Sequence, residues 1–106
     1  MIIEEIPGGG RTVIAVRRER LDAAVAAEFR AEVEGVMRRG ARRLVLDLGE
    51  VGFVDSTGLG AIVGVVKGLG RGGSVELAGL SPAVRKVFDL TRLSEVFTIH
   101  DRVPGG

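Results

Sequence analysis

The sequence predicts an α/β fold in which a mostly parallel central sheet of four to five strands is flanked by about four helices. Segments rich in β-branched residues alternate with segments whose apolar residues recur at helical spacing, which indicates parallel strands joined by right-handed crossovers. The chain has 106 residues, which fits one domain over residues 1 to 106, with residues 103 to 106 as a flexible tail. Apolar residues make up 45% of the chain and aromatic residues only 4%, so aliphatic side chains must build the core.

The N-terminal part is predicted to be a β-hairpin. Residues 1 to 6 have the composition of a short edge strand, and residues 12 to 16 (TVIAV) are rich in β-branched residues. Between them, residues 7 to 10 (PGGG) break the pattern and provide a turn. The polar residues 17 to 20 then end the second strand.

A first helix and a central strand are predicted to follow. Asp22 is the candidate N-cap of the helix, and Gly40 is placed to close it. The apolar stripe of this helix consists of Val25, Phe29, Val33 and Val36, with Met37. Residues 44 to 48 (LVLDL) lack clean alternation, which is typical of a central strand covered on both faces.

A second helix is predicted to begin at Ser56, with the serine hydroxyl as its N-cap. Its predicted buried stripe consists of Leu59, Ile62, Val63, Val66 and Leu69. Gly60, Gly64 and Gly68 lie four residues apart on a different face, where each costs about 1 kcal/mol of helix propensity relative to alanine. This pattern indicates that something approaches the helix backbone closely, either another element of the chain or a partner.

The remaining elements are a strand, a short helix and a last strand. Residues 74 to 78 predict a strand after the turn at Gly72-Gly73. Ser81 then gives an N-cap and Pro82 a first helical residue. The rest of the predicted pattern comprises an inner helix face at Val84, Val87 and Phe88, a further helical turn within residues 91 to 97, a strand at residues 98 to 100 and a loose end at residues 104 to 106.

Composition excludes several classes of function. Fifteen basic residues nearly balance fourteen acidic ones and are dispersed in short pairs, so no nucleic-acid partner is expected. Cysteine is absent, which excludes disulfides and thiolate metal sites, and no other cluster indicates a metal or a cofactor. No apolar stretch is long enough to cross a bilayer and the start has no signal-peptide pattern. We therefore expect a cytoplasmic protein that does not insert into membranes.

The residues around Ser56 resemble a known family, the bacterial anti-sigma factor antagonists of the STAS-domain superfamily. The most specific matches are residues 44 to 48 and residues 53 to 60 (FVDSTGLG). Leu21-Asp22, Gly72-Gly73 and Ser81-Pro82 support them, and the resemblance covers residues 12 to 103.

The resemblance implies a phosphorylation switch at Ser56, with Thr57 as the second choice of acceptor. In that family an anti-sigma factor that is also an ATP-dependent serine kinase binds the unphosphorylated antagonist and phosphorylates the matching serine. A serine phosphatase later reverses the modification. The predicted partner-binding residues are Asp22, Asp55, Ser56, Thr57, Gly58, Gly60 and Gly64. One departure is Glu19, which stands where the family usually has glycine two residues before the leucine-aspartate pair.

An enzyme or a cofactor-binding domain is the first alternative to this interpretation. A serine nucleophile needs a base beside it, and nothing places the single histidine, His100, near Ser56, so no catalytic residue is predicted. Gly58, Gly60 and Gly64 resemble a dinucleotide-binding motif, but seven residues separate Leu48 from Ser56, where a Rossmann turn would begin at once. A role as a scaffold subunit of a signalling assembly or as a transporter accessory remains open.

Overall fold

The computed structural model describes residues 1 to 105, in which seven strands and three α-helices follow one another. The strands are Ile3–Gly8 (β1), Arg11–Val16 (β2), Arg20–Leu21 (β3), Arg43–Asp47 (β4), Phe53–Val54 (β5), Ser74–Ala78 (β6) and Ile99–His100 (β7). The helices are Ala26–Arg38 (α1), Ser56–Leu69 (α2) and Pro82–Leu90 (α3), with a single 3₁₀ turn at Leu93–Glu95. About four helices were predicted; the segment after α3 is too short for a fourth and forms the 3₁₀ turn.

Five strands form the central sheet in the order β1-β2-β4-β6-β7. Only β1 and β2 pair in antiparallel fashion, and every other neighbouring pair is parallel. The mostly parallel sheet with an antiparallel N-terminal edge is therefore confirmed. Ile14 is opposite Leu46, and Leu46 is opposite Leu77, so these three fully buried side chains form one row on the core face of the sheet.

A tight turn at Gly9 and Gly10 joins β1 to β2. Gly9 has φ +64° and Gly10 has φ +77°. Two consecutive residues with positive φ belong to the turn type that matches the twist of a hairpin, and glycine adopts this conformation without strain. The predicted hairpin is confirmed, and its glycine turn has a clear conformational cause.

One hydrophobic core joins the sheet to the helices. Phe29 and Val33 of α1, Ile62 and Val65 of α2, and Val84 of α3 are all buried in it. At the end of α3, Phe88 packs edge-on against the ring of Phe97, with the ring centroids 5.9 Å apart. Helices α1 and α2 pack against each other, and both contribute residues to the same core.

The predicted stripe of α2 is correct in part. Leu59, Ile62 and Leu69 are buried, but Val63 and Val66 are only half-buried. Ala61 and Val65 take the buried positions instead. The buried arc of α2 is rotated toward Ala61 and Val65 because α1 covers that side of the helix.

The segment between β4 and α2 contains the short strand β5. Its partner is β3, and the two form a separate parallel pair with Arg20 opposite Phe53 and Leu21 opposite Val54. The carbonyl of Glu19 accepts hydrogen bonds from the N–H groups of Gly52 and Phe53, which extends the pairing by one residue. This small sheet connects the segment that precedes α1 with the segment that precedes α2.

The N-cap prediction for α1 is wrong. The helix begins at Ala26, and Val25, the residue before it, makes no side-chain cap. Asp22 instead stabilises the preceding turn: its Oδ1 accepts from the N–H of Ala24 at 3.1 Å, and its carbonyl accepts from Val25 and Ala26. At α3 the prediction is confirmed, because Ser81 Oγ accepts from the N–H of Val84 and Pro82 is the first helical residue.

The C-terminal residues lie against the hairpin. Pro104 accepts a hydrogen bond from the guanidinium of Arg11, and Val103 and Pro104 line a crevice with Ile6 and Val13. Flexibility of residues 103 to 106 stays a prediction, and Gly106 lies outside the described residues. Between residues 1 and 105, none of the helices is both long enough and apolar enough to span a bilayer.

Candidate partner-binding site

The side chain of Asp55 caps the N-terminus of α2. Its Oδ1 accepts from the N–H of Gly58 at 2.8 Å, while its Oδ2 accepts from the N–H of Ala23 at 3.1 Å. Ser56 was predicted to be the N-cap, but it is the first helical residue. Aspartate and serine cap helices about equally well, and only aspartate has a second oxygen for Ala23, so the tertiary contact favours Asp55.

The same hydrogen bonds stabilise the charged form of Asp55. The N–H of Gly58 makes the largest contribution, with smaller ones from Ala23, Thr57 and the nearby charge of Arg20. Together they hold the pKa of this carboxyl below its ordinary value of 3.8, against the opposing effect of desolvation. Asp55 is therefore an anion at neutral pH, fixed one residue before Ser56.

Replacing Asp55 with asparagine is expected to lower the melting temperature at neutral pH. The pKa is lower in the folded than in the unfolded state, so the stabilisation by the charge is complete above 3.8 and is lost as the pH falls through the folded pKa. Thermal unfolding followed by circular dichroism should therefore show a constant difference in melting temperature between the wild type and the variant from neutral pH to about pH 5. Below pH 3.8 this difference should shrink.

The matched control for this experiment is Asp101→Asn. Asp101 is exposed and makes no side-chain hydrogen bond to the backbone between residues 1 and 105. This variant should melt as the wild type does over the whole pH range. Equal melting of the Asp55→Asn variant and the wild type at neutral pH would show that Asp55 does not stabilise the helix terminus.

Ser56 and Thr57 are both exposed in the first turn of α2. The positive end of the helix macrodipole and the backbone N–H groups of a first turn favour an anion there. A phosphate on Ser56 would therefore be compatible with the fold. The nearby carboxylate of Asp55 accepts its backbone hydrogen bonds from Gly58 and Ala23.

Gly58 packs directly against the backbone of Leu21, in the segment that precedes α1. A Cβ at this position would lie 2.8 Å from the carbonyl carbon of Leu21 and closer still to its oxygen. Because a backbone carbonyl cannot move aside as a flexible side chain can, only glycine fits here. Gly58 is buried against Leu21, which explains how the start of α2 packs closely against the segment before α1. Its contact with a partner stays a prediction.

Gly60, Gly64 and Gly68 of α2 have different surroundings. A Cβ at Gly64 would overlap the guanidinium of Arg30 on α1, and one at Gly68 would lie 3.4 Å from Cε of Met37. A Cβ at Gly60 would meet no atom within 4 Å. The internal-packing alternative therefore holds at Gly64, which α1 covers, and in part at Gly68, which α1 borders. Gly60 is open, and contact with a partner there stays a prediction.

An open groove of about 360 Å³ lies between the N-terminal halves of α1 and α2. Its walls are lined by Ala26, Ala27, Arg30, Thr57, Gly60 and Ala61. The side chains are small apart from Arg30, so the helix backbones are accessible to a partner. Ser56 precedes the lining residue Thr57, which puts the candidate acceptor at one end of the groove.

Two residues beside this site were missed in the sequence. Phe53 of β5 is 41% exposed, and the guanidinium of Arg20 lies over its ring at 4.1 Å from the centroid. Arg20 also forms an ion pair with Asp22 at 3.1 Å. The only sequence signal is that Phe53 alternates with buried Val54. Phe53 provides an apolar contact surface three residues from Ser56.

Glu19 causes no backbone strain. Arg92 is the single non-glycine residue of the described chain with a positive φ, so the backbone at position 19 does not require glycine. The side chain of Glu19 is exposed. The departure from the family pattern therefore changes the surface before β3 and leaves the pairing with β5 intact.

His100 has a partner on the neighbouring strand. Its Nε2 lies 2.8 Å from Oε1 of Glu76, so the ring bridges β7 and β6. No hydrogen bond joins His100 to Ser56 in residues 1 to 105. Over the same residues, no three His, Asp or Glu side chains come together as metal ligands would.

The comparisons with known proteins agree on one family. The family model described as the STAS domain matches residues 2 to 105. The anti-sigma-B factor antagonist of Bacillus subtilis is 34% identical over 87 residues, which are 81% of this chain and 79% of that protein. That of Listeria monocytogenes is 36% identical over 80 residues, or 74% of this chain and 70% of that protein.

A solved structure of the anti-sigma factor antagonist SpoIIAA in its unphosphorylated form superimposes with a TM-score of 0.76 at 25% identity. The alignment covers 92% of this chain and 86% of that one.

Proposed function

The chain belongs to the STAS-domain family, and from this we propose that it acts as an anti-sigma factor antagonist. The unphosphorylated form binds an anti-sigma factor and thereby releases a sigma factor. The observation that carries this proposal is the exposed hydroxyl of Ser56, at the positive end of α2 and beside the open groove. Two relatives that are more than 30% identical are anti-sigma-B factor antagonists.

Phosphorylation of Ser56 is the proposed off switch. The partner is an anti-sigma factor that is also an ATP-dependent serine kinase. Its active site supplies the base that removes the hydroxyl proton, the Ser56 oxygen forms a bond to the γ-phosphorus of ATP, and ADP leaves. This chain needs to provide only an exposed hydroxyl in a fixed position. A serine phosphatase then hydrolyses the phosphoester and restores binding.

The phosphate acts on the interface and not on the fold. It brings a charge of about −1.5 to −2 at neutral pH, next to the Asp55 carboxylate. A partner surface that covers neutral Ser56 and Gly60 would have to desolvate this charge, which is costly when no counter-charge is present. Thr57 is the second candidate acceptor, since its hydroxyl is also exposed and it lines the groove.

A direct test uses a purified complex of sigma factor and anti-sigma factor from the same cell. Adding the unphosphorylated chain should displace the sigma factor, as measured by size-exclusion chromatography. The chain phosphorylated at Ser56 should leave the complex intact. If neither form displaces the sigma factor but the chain forms large homo-assemblies or binds a permease, the scaffold or transporter-accessory role replaces this proposal.

Replacing Gly60 with leucine is expected to weaken binding of the anti-sigma factor at least about tenfold. The added side chain would project from the open part of α2 beside the groove, and a bulky group at the centre of a docked surface disturbs its packing. The fold should persist, because nothing lies within 4 Å of the new Cβ and leucine favours helix over glycine. Calorimetric titration measures the effect.

The same substitution at Gly68 is the matched control. Gly68 is exposed on the same helix, about 12 Å further along it. A leucine there should leave the affinity within about twofold of the wild type, which is the range of a neutral surface change. Equal losses at Gly60 and Gly68 would show that the interface is not confined to the Ser56 end of α2.

A further inference from the structure

An open cavity lies at the end of the sheet opposite to Ser56. It has a volume of about 430 Å³. The hairpin turn and the start of β2 form one wall, and the loop from α1 to β4 forms the other. The lining residues are Gly8, Gly10, Arg11, Thr12, Gly40, Ala41, Arg42 and Arg43. Ser56 follows the carboxyl ends of the strands, so the cavity is separate from the proposed switch.

Three arginines give this cavity a positive charge. None of Arg11, Arg42 and Arg43 forms an ion pair with a carboxylate in the described chain. Glu76 lines the adjoining crevice with Arg11 and Arg43, but it is hydrogen-bonded to His100. The charge of the three guanidinium groups is therefore not neutralised by direct pairing within residues 1 to 105.

Backbone carbonyls hold two of the three arginines in place. One N–H group of Arg11 donates to Pro104, and Nη2 of Arg42 donates to the carbonyls of Leu69 and Arg71 at 2.8 and 3.0 Å. Carbonyls restrain a guanidinium without cancelling its charge. Since a guanidinium has five N–H donors, both groups keep donors for a ligand. The exposed side chain of Arg43 is free to close over it.

A hydroxyl in the cavity wall provides a second observation. Thr12 is only 9% exposed and lines the cavity. Its hydroxyl makes no hydrogen bond to any residue from 1 to 105. Within the same residues, every fully enclosed side-chain oxygen has a hydrogen-bond partner. The hydroxyl is therefore reached from the cavity. Because it is open to the cavity and unpartnered within residues 1 to 105, this hydroxyl is available to donate to a group bound there.

We propose that this cavity binds a compact anion with more than one phosphate group, such as pyrophosphate or a sugar bisphosphate. Guanidinium groups bind phosphate oxygens through charge-assisted hydrogen bonds, and the Thr12 hydroxyl donates a further one. No aromatic side chain lines the cavity, so it offers no stacking surface for a nucleobase. Recognition depends on the anionic groups, and a phospholipid headgroup has the same chemistry.

Titration with pyrophosphate, followed by amide chemical shifts in NMR and by calorimetry, tests the proposal. Saturable shifts are expected at Gly10, Thr12, Gly40 and Arg43 and not around Ser56. Arg43→Gln should weaken binding at least about tenfold, as expected for loss of a charge-assisted bond. Arg18→Gln is the control, because Arg18 is exposed and, within residues 1 to 105, bonds only to the carbonyl of Arg17. This variant should bind pyrophosphate as the wild type does.

Thr12→Val tests the hydroxyl separately from the fold. It removes a group without a partner in the described chain, so thermal stability should be unchanged or higher, while pyrophosphate affinity should fall several-fold.

Sedimentation with phosphatidylcholine vesicles, with and without phosphatidylglycerol, tests the lipid source of the phosphate. Binding to the anionic vesicles that Arg43→Gln abolishes would assign the site to a headgroup. Failure of both probes, or equal effects of Arg43→Gln and Arg18→Gln, would overturn the proposal.

Discussion

The Ser56→Asp variant is expected to bind the anti-sigma factor about a hundredfold or more weakly than the wild type. A hundredfold loss corresponds to about 2.7 kcal/mol, which is modest for placing an unpaired charge in a desolvated interface. Two features of the site support weaker binding of this variant. Ser56 is exposed at the edge of the groove, and Asp55 already puts one carboxylate beside it. Calorimetric titration with the purified anti-sigma factor measures the loss.

Ser56→Asn separates charge from shape. Asparagine has nearly the volume of aspartate without its charge, and both residues are tolerated in the first turn of a helix. We expect the asparagine variant to keep most of its affinity. All three proteins should unfold at similar temperatures, because position 56 is exposed. An equal loss of affinity for asparagine and aspartate would show that bulk at position 56, and not charge, prevents docking.

The Gly58→Ala variant is expected to lose about 3 kcal/mol or more of folding free energy. The new methyl group would lie 2.8 Å from the carbonyl carbon of Leu21, so the backbone before α1 or the start of α2 must shift. Such overpacking costs about 1 to 3 kcal/mol in a core side-chain cluster, and a clash with backbone lies at the upper end or above. Urea unfolding followed by circular dichroism measures the change.

Gly60→Ala is the control, made two residues further along the same helix. Its Cβ would meet nothing within 4 Å, and alanine favours helix over glycine by about 1 kcal/mol. This variant should therefore be more stable than the wild type by up to that amount. If both variants lose stability, or neither does, the close approach of Gly58 to Leu21 is not the reason for glycine at position 58.

The central sheet could be predicted from the sequence because each of its longer strands has a local signal. Residues 44 to 48 form an apolar run, and residues 12 to 16 are rich in β-branched residues. The glycine turn indicated the antiparallel edge. The alternation of strands with helices indicated parallel pairing, and the observed order agrees.

Features that depend on distant contacts could not be predicted in the same way. Ser56 and Asp55 are both suitable N-caps, and the choice between them depends on Ala23, which is 32 residues away in the chain. The two-residue strands β3 and β5 are too short to show a period of two. The cover of Gly64 by Arg30 depends on the packing of α1 against α2.

The two candidate sites differ in how far the sequence alone can indicate them. Ser56 was identified because residues 53 to 60 form one contiguous motif that resembles a known family. The arginine cavity has no such motif, because its two walls come from residues 8 to 12 and residues 40 to 43. Only the parallel pairing of β2 with β4 brings these segments together. In the sequence, the same arginines read as dispersed surface charges.

The most direct test of the switch is the affinity of the anti-sigma factor for the chain phosphorylated at Ser56 alone. Phosphoserine can be placed at position 56 during synthesis, with the unmodified chain as the reference. We expect the unmodified chain to bind and the phosphorylated chain to bind at least about a hundredfold more weakly, with the same circular dichroism spectrum. Equal affinities of the two forms would contradict the account, because Ser56 would then not control the interface.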